Sequence, residues 1–301
     1  MSENNLFTTP ILFIIFNRPD VTKRVFNAIR EIRPAQLFVS ADGPRASVVD
    51  EKEKCDQTRK IIEKIDWPCE VNKKYSEKNM GCKIGVSSAI NWFFDSVSEG
   101  IILEDDCLPD LSFFTFCQEL LIYYKEDTRI KMISGDNFQF GRIYGPASYY
   151  FSRHPQIWGW ATWKRAWEEY DITMKTYPDF KEKNRICNVV EKKSDQRHWL
   201  KIFDRLYKNQ VDTWDGQLVY AIFDYDGLCI IPNKNLVTNI GHTKEATHTK
   251  TTDKFSNIPK NKIDVIIHPS NIEICREADR FYNSNLVPTI LERLINKIKS
   301  I

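Results

Sequence analysis

A chain of 301 residues, 42% hydrophobic and 28% charged, carries enough apolar material for one large α/β domain with a sizeable core. A formal charge of +2, with no basic stripe interleaved with aromatics, excludes nucleic acid as the natural partner. Its 8 cysteines contain no C-x-x-C pair, the first residues lack a basic and apolar leader, and no apolar run approaches the ~18 residues of a spanning helix; the expectation is a cytoplasmic protein with reduced thiols.

Ile11 to Phe16 opens the chain as an apolar strand, followed by Val21, Val25, Phe26 and Ile29 at helical spacing. Gln36 to Ser40 predicts a second strand, closed by the turn Asp42-Gly43-Pro44. A charged helix with Ile61, Ile62 and Ile65 along its edge precedes a short strand at Cys69 to Val71. Val86, Ile90, Phe93, Phe94 and Val97 mark the next helix. Then Gly100-Ile-Ile-Leu103 runs directly into Glu104-Asp105-Asp106, a buried parallel strand with three carboxylates at its C-terminal edge. Adjacent anions repel one another, so a hard divalent cation shared with substrate phosphates would compensate them; the plainer alternative is a solvated acidic turn. Asp110 is placed to cap a helix reaching Tyr124, and Ile130 to Ser134 closes the series. Strands alternating with helices predict an α/β fold with a mostly parallel sheet.

After residue 145 the pattern changes. Tyr149 to Phe151 predicts an antiparallel strand, and Trp160, Trp163 and Trp167 recur at i, i+3 and i+7, the spacing of a buried helix face. Charged helices are expected near 178–192 and 194–208, a helix from Trp214-Asp215-Gly216 to about Tyr225, and a strand from Gly227 to Pro232. Residues 241–262 are polar and aperiodic, as in a mobile loop or lid. Leu286, Ile290, Leu291, Leu294, Ile295 and Ile298 form an apolar stripe that suits either an interfacial amphipathic helix or one docked on this domain or a second subunit. No Gly-x-Gly-x-x-Gly follows the first strand and no P-loop occurs, which argues against dinucleotide oxidoreductases and P-loop NTPases.

Phe16-Asn17-Arg18 after strand one, Ser40-Ala41-Asp42-Gly43 after strand two, Glu104-Asp105-Asp106, Pro155-Gln-Ile-Trp-Gly-Trp160 and Trp214-Asp215 occur in an order that resembles the GT-A superfamily of nucleotide-sugar glycosyltransferases. The likeness is to the N-acetylglucosaminyltransferase I type, and it runs from about Pro10 to His248. It implies a GT-A (Rossmann-like), mostly parallel central sheet flanked by helices, with a C-terminal acceptor-side region. On this resemblance residues 1–135 form the nucleotide-sugar-binding half, 136–245 the acceptor-binding and catalytic half, and 246–301 the mobile loop and C-terminal helix.

The implied activity is metal-dependent, inverting transfer of a hexose or N-acetylhexosamine from a UDP-sugar to a glycan or lipid-linked glycan, in the making of lipopolysaccharide or capsule. Asp106 would be the ligand of Mn²⁺ or Mg²⁺, with Phe16, Asn17, Arg18, Asp42, Glu104 and Asp105 on the nucleotide-sugar. Asp42 would accept the imide N–H of the uracil, and Arg18 would pair with phosphate or stack on the base. Asp215 would be the catalytic base, at a helix N-terminus that favours an anion; the alternative is a plain capping residue. Asp136 is the reserve for that role or for acceptor contact. Trp158, Trp160, Trp214, His242 and His248 are candidates for the acceptor or the lid. The missing membrane anchor points to a cytoplasmic enzyme, with a peripheral contact at the inner membrane or self-association through the C-terminal helix. A sugar-1-phosphate nucleotidyltransferase, or a non-catalytic glycan-binding protein of the same fold, are the competing classes.

Overall fold

The computed structural model describes residues 6–241 and 254–286. Its centre is an eight-stranded sheet. In chain order the first strands and helices are β1 (Ile11–Ile15), α1 (Pro19–Ile32), β2 (Gln36–Ala41), α2 (Glu51–Lys60), β3 (Glu70–Tyr75), α3 (Gly81–Ser96), β4 (Glu99–Glu104), β5 (Cys107–Pro109), α4 (Leu111–Tyr123) and β6 (Ile130–Ser134). Then come β7 (Tyr149–Ser152), β8 (Trp160–Trp163), α5 (Lys164–Trp167), α6 (Tyr177–Glu182), α7 (Lys193–Tyr207), α8 (Asp215–Asp224), β9 (Leu228–Pro232), β10 (Val237–Asn239) and α9 (Arg276–Leu286). The sheet order is β3-β2-β1-β4-β8-β6-β9-β7, with β8 and β7 antiparallel to their neighbours and the rest parallel. This is the expected Rossmann-like α/β sheet flanked by helices.

Alternation along β1 builds both layers. Phe13 packs with Val25, Phe26 and Ile29 of α1 and with Phe113 of α4 on one face. Leu12 packs with Ile90 and Phe93 of α3 on the other. A further cluster joins Phe180, Trp199, Phe203 and Phe223 around α6, α7 and α8. Because β2 and β4 flank β1, the chain leaves β1 and its neighbours in opposite directions, and the crevice at the C-terminal ends of β1 and β4 is the switch point where open α/β sheets bind ligands. α1 begins with Pro at its first position, and Asp110 caps α4 by accepting from Ser112 N at 3.0 Å, as its sequence predicts.

The expected helix face of Trp160, Trp163 and Trp167 is a correction. Trp160–Trp163 is strand β8, paired with both β4 and β6, and only Lys164–Trp167 is helical. A strand buried on both faces needs bulk on each: Trp160 belongs to the cluster with α3, Trp163 to the cluster with α1 and α4. Two-sided burial therefore mimicked a helical spacing. The helix expected near 178–192 is broken after Glu182 by Asn184 in the left-handed region, with a 3-10 turn at Arg185–Asn188.

Of the segment 241–262, Gly241 and residues 254–262 are described. Residues 254–262 are tied to the sheet edge, where Asn261 N donates to Asn235 O at 2.6 Å and Lys260 Nζ to Pro109 O at 2.7 Å. His242, His248 and the apolar stripe beyond Leu286 lie outside the described residues. Among the described residues no helix is long and apolar enough to cross a membrane.

Candidate functional site

The three carboxylates emerge where β4 ends, and the sequence just after β1 answers them. Arg18 lies between β1 and the first turn of α1, and its guanidinium contacts the Asp105 carboxylate and reaches Asp106 Oδ2 at 2.9 Å. Burial works against its charge, but Asp105 and Asp106 outweigh that and raise its pKa. Asp105, 3% exposed, also accepts from Phe16 N at 3.3 Å, and burial pushes its carboxyl up despite Arg18. Asp106 keeps a side-chain exposure of 16%. Its backbone oxygen accepts from Ile240 N at 2.8 Å, beside the short β5–β10 ladder. Gly241 makes that approach feasible, since a Cβ there would stand 2.0 Å from Asp106 Oδ2. Glu104 is half-buried and takes no side-chain hydrogen bond among the described residues. Burial, then Asp106 and Asp105, push its pKa up to about 8.

Two cavities meet at this rim. One, of about 300 Å³, lies over the ends of β1 and β2 and is lined by Phe16, Arg18, Asp42, Glu104 and Asp105 together with the start of α3. The other, of about 660 Å³, is lined by Arg18, Glu104, Asp106, Trp158, Trp214 and Asp215 among others. Arg18, Cys82, Glu104 and Asp212 belong to both. Asp215 opens α8, where its Oδ1 accepts from Thr213 Oγ1 and from Gly216 N at 2.9 Å; Oδ2 takes no partner among the described residues.

The remaining sequence candidates divide. Asp42 lines the smaller cavity, but its carboxylate already accepts from Gly43 N at 2.8 Å, Met80 N at 2.9 Å and Asn79 Nδ2 at 2.9 Å. Burial raises its pKa and those donors partly offset it. Asn17 turns to Glu51, donating to Oε1 at 2.8 Å, and lines neither cavity. Asp136 is corrected: it is 0% exposed and borders neither cavity, so no acceptor reaches it. Trp160 is corrected as well, being 1% exposed and stacked on Trp214 at 5.7 Å, behind the cavity wall.

Sequence reasoning missed Asp212, which accepts from Cys82 N at 3.1 Å and Lys83 N at 3.0 Å. It caps α3 from the loop that carries Asp215, and Gly81, at φ +78°, leaves it room. Its signal was its place three residues before Asp215. Cys82, also missed, faces Glu104, Asp215 and Asp212; burial first and then those anions push its thiol up to about 12.

Among the described residues no group of three His, Cys, Asp or Glu side chains is arranged to hold a metal ion. A hard cation that keeps waters and phosphate oxygens needs only one or two carboxylates. Arg18 pairs with Asp105 and Asp106, while the upward shift of Glu104 comes first from burial and then from Asp106 and Asp105. The donor set therefore fits such a cation through Asp106.

No family model and no curated protein matches this chain. Among solved structures it is similar in part to HddC from Yersinia pseudotuberculosis, at TM-score 0.34 and 10% identity over 54% of this chain and 80% of that one. It is likewise similar to S. aureus TarS 1–349, at TM-score 0.37 and 11% identity over 54% of this chain and 49% of that one. A UDP-glucose pyrophosphorylase complexed with UDP-glucose gives TM-score 0.28 and 13% identity over 50% and 64%. The chain thus spans about half of the TarS fragment. These are partial likenesses of fold, and the site rests on its own geometry.

Proposed function

We propose that this chain is a metal-dependent, inverting glycosyltransferase of the GT-A kind that moves a hexose or N-acetylhexosamine from a UDP-sugar to a hydroxyl of a glycan or lipid-linked glycan. The observation that carries this reading is the meeting of two cavities at one acidic rim, with Glu104 and Arg18 common to both. In this reading the smaller cavity, built by residues of the first 135 and closed by Asp212, takes the nucleotide. The larger one, walled chiefly by later residues, takes the acceptor.

Asp106 would hold Mn²⁺ or Mg²⁺, which supplies Lewis-acid neutralisation of the departing diphosphate. Arg18 keeps a positive charge at the junction and fixes Asp105 and Asp106 in place. Asp215 accepts the proton of the acceptor hydroxyl as its oxygen attacks the anomeric carbon from the face opposite the leaving group. Its Oδ1 is held by Thr213 and Gly216, which leaves Oδ2 for that proton.

The test pairs two variants with UDP and a panel of UDP-hexoses and UDP-N-acetylhexosamines. Asp106→Ala should abolish the Mn²⁺-dependent thermal shift by UDP. Asp215→Asn should keep that shift and lose at least about 100-fold in turnover. Unchanged Mn²⁺-dependent UDP binding in Asp106→Ala, or full turnover in Asp215→Asn, defeats the proposal. Pyrophosphate formed from UTP and a sugar 1-phosphate would assign the chain to nucleotidyl transfer instead.

A further inference from the structure

Helix α2 is strongly polar, yet Glu51, its first residue, is only 1% exposed. Its carboxylate joins the two turns that flank the smaller cavity. Oε1 accepts from Asn17 Nδ2 at 2.8 Å, in the turn after β1. Oε2 accepts from Arg45 N at 2.6 Å, in the loop after β2, and both oxygens face Arg45 Nε at 3.1 Å. Arg45 Nη2 completes the pair with Oε1. A buried carboxylate needs such donors, and here they come from the loops that carry Phe16 and Asp42. Further along α2, Arg59 donates to Asp42 O at 3.1 Å and to Ser76 O at 2.7 Å, so the same helix also pins the ends of β2 and β3.

The partners in the Arg45–Glu51 pair are unequal. The Arg45 side chain is 39% exposed, lines the smaller cavity and lies over the Phe16 ring at 5.7 Å. Its Nη1 takes no partner among the described residues. The acid is thus the support, and the cation is what the cavity receives. Arg18, the other cation on that wall, is already engaged by Asp105 and Asp106. The ends of β2 and β4 stand on either side of β1, two strand spacings or about 10 Å apart. Arg45 is therefore on the β2 side, away from the carboxylates that would face a diphosphate and its cation.

We infer that Arg45 binds the nucleoside end of the donor, donating from Nη1 to a carbonyl of the base, and that Glu51 is its positioning residue. Glu51 holds the planar guanidinium in one orientation, which lowers the entropy lost when the ligand arrives. This deepens the transferase reading and rests on it for the nucleotide.

The test measures UDP with Mn²⁺ by calorimetry and uridine by ligand-observed NMR, on the full chain. Arg45→Ala should weaken both ligands by the same factor, at least about fivefold. Glu51→Ala should weaken UDP nearly as much, and Arg45→Ala with Glu51→Ala should be no weaker than Arg45→Ala alone, because the acid acts through the cation. If Glu51→Ala does not fold, Glu51→Gln, which keeps the volume and one acceptor, should weaken UDP at least about threefold. Unchanged UDP affinity in Arg45→Ala overturns the inference and leaves the transferase reading standing. A loss for UDP but not for uridine overturns the nucleoside contact in favour of a phosphate one, and losses that add in the double variant overturn the positioning role of Glu51. An unaltered chain that binds no UDP defeats the transferase reading itself, and this inference falls with it.

Discussion

Asp136 sits at 0% exposure, and neither carboxylate oxygen has a hydrogen-bond partner among the described residues. Burial drives its pKa well above the ordinary 3.8, with the backbone N–H groups of Asp136 and Trp158 working the other way, so the folded chain keeps its proton to higher pH than the unfolded chain does. Between those two values the native state binds the extra proton, and stability falls as pH rises. The slope is at most about 1.4 kcal/mol per pH unit for one such group, reached where the native state keeps the proton and the unfolded chain has lost it.

Asp136→Asn is nearly isosteric and has no proton to lose. Its stability relative to the unaltered chain should therefore grow with pH by up to that slope, or up to roughly 2 °C in melting temperature per pH unit for a chain of this size. Thermal unfolding of both proteins at pH 5, 6 and 7, in buffers of equal ionic strength, measures the difference directly. A difference that stays constant across the series would mean that Asp136 is ionised in the native state, and the reasoning from its burial would be wrong.

Glu104, held up to about 8, is largely protonated at pH 7, and a cation drawn to Asp106 should lower it. Binding of Mn²⁺ with UDP should then release close to one proton at pH 7 and fewer at pH 9; calorimetry in buffers of different ionisation enthalpy reads this, and Glu104→Gln should remove it. Asp212→Ala strips the cap from α3 and should cost about 1 kcal/mol, with faster hydrogen exchange at Cys82 and Lys83. Unaltered exchange there would show that the cap does not hold in solution.

Local signals carried the elements that local physics decides. Ile11–Ile15, Gln36–Ala41 and Ile130–Ser134 are apolar because both faces of a parallel strand are covered, and they were readable as such. The Glu104-Asp105-Asp106 triplet was expected at the sheet rim and lies there, because an apolar run that ends in charge can only be leaving the core. What stayed hidden depends on partners far along the chain. Cys107–Pro109 is a strand only because Val237–Asn239 lies beside it. Asp212 is a cap only because α3 starts next to it, some 130 residues earlier in sequence. Trp160 and Trp163 look helical until their opposite faces are known, and no local pattern marks Asp136 as buried. α9 was missed because its buried residues, Ala278, Asp279, Tyr282 and Asn283, are mostly polar.

The position of β8 has a mechanical consequence. The ladder β3-β2-β1-β4 is made wholly from residues 11–104, and β6-β9-β7 wholly from residues 130–232, so within the sheet β8 alone stitches one to the other. On the β6 side that stitch is short, with Ile133 opposite Ala161 and Ser134 opposite Trp160. No other neighbouring pair of strands in the sheet is joined over so short a register. A rotation of one half against the other about this short pairing would change the gap between Asp106, which follows β4, and Asp215, which opens α8.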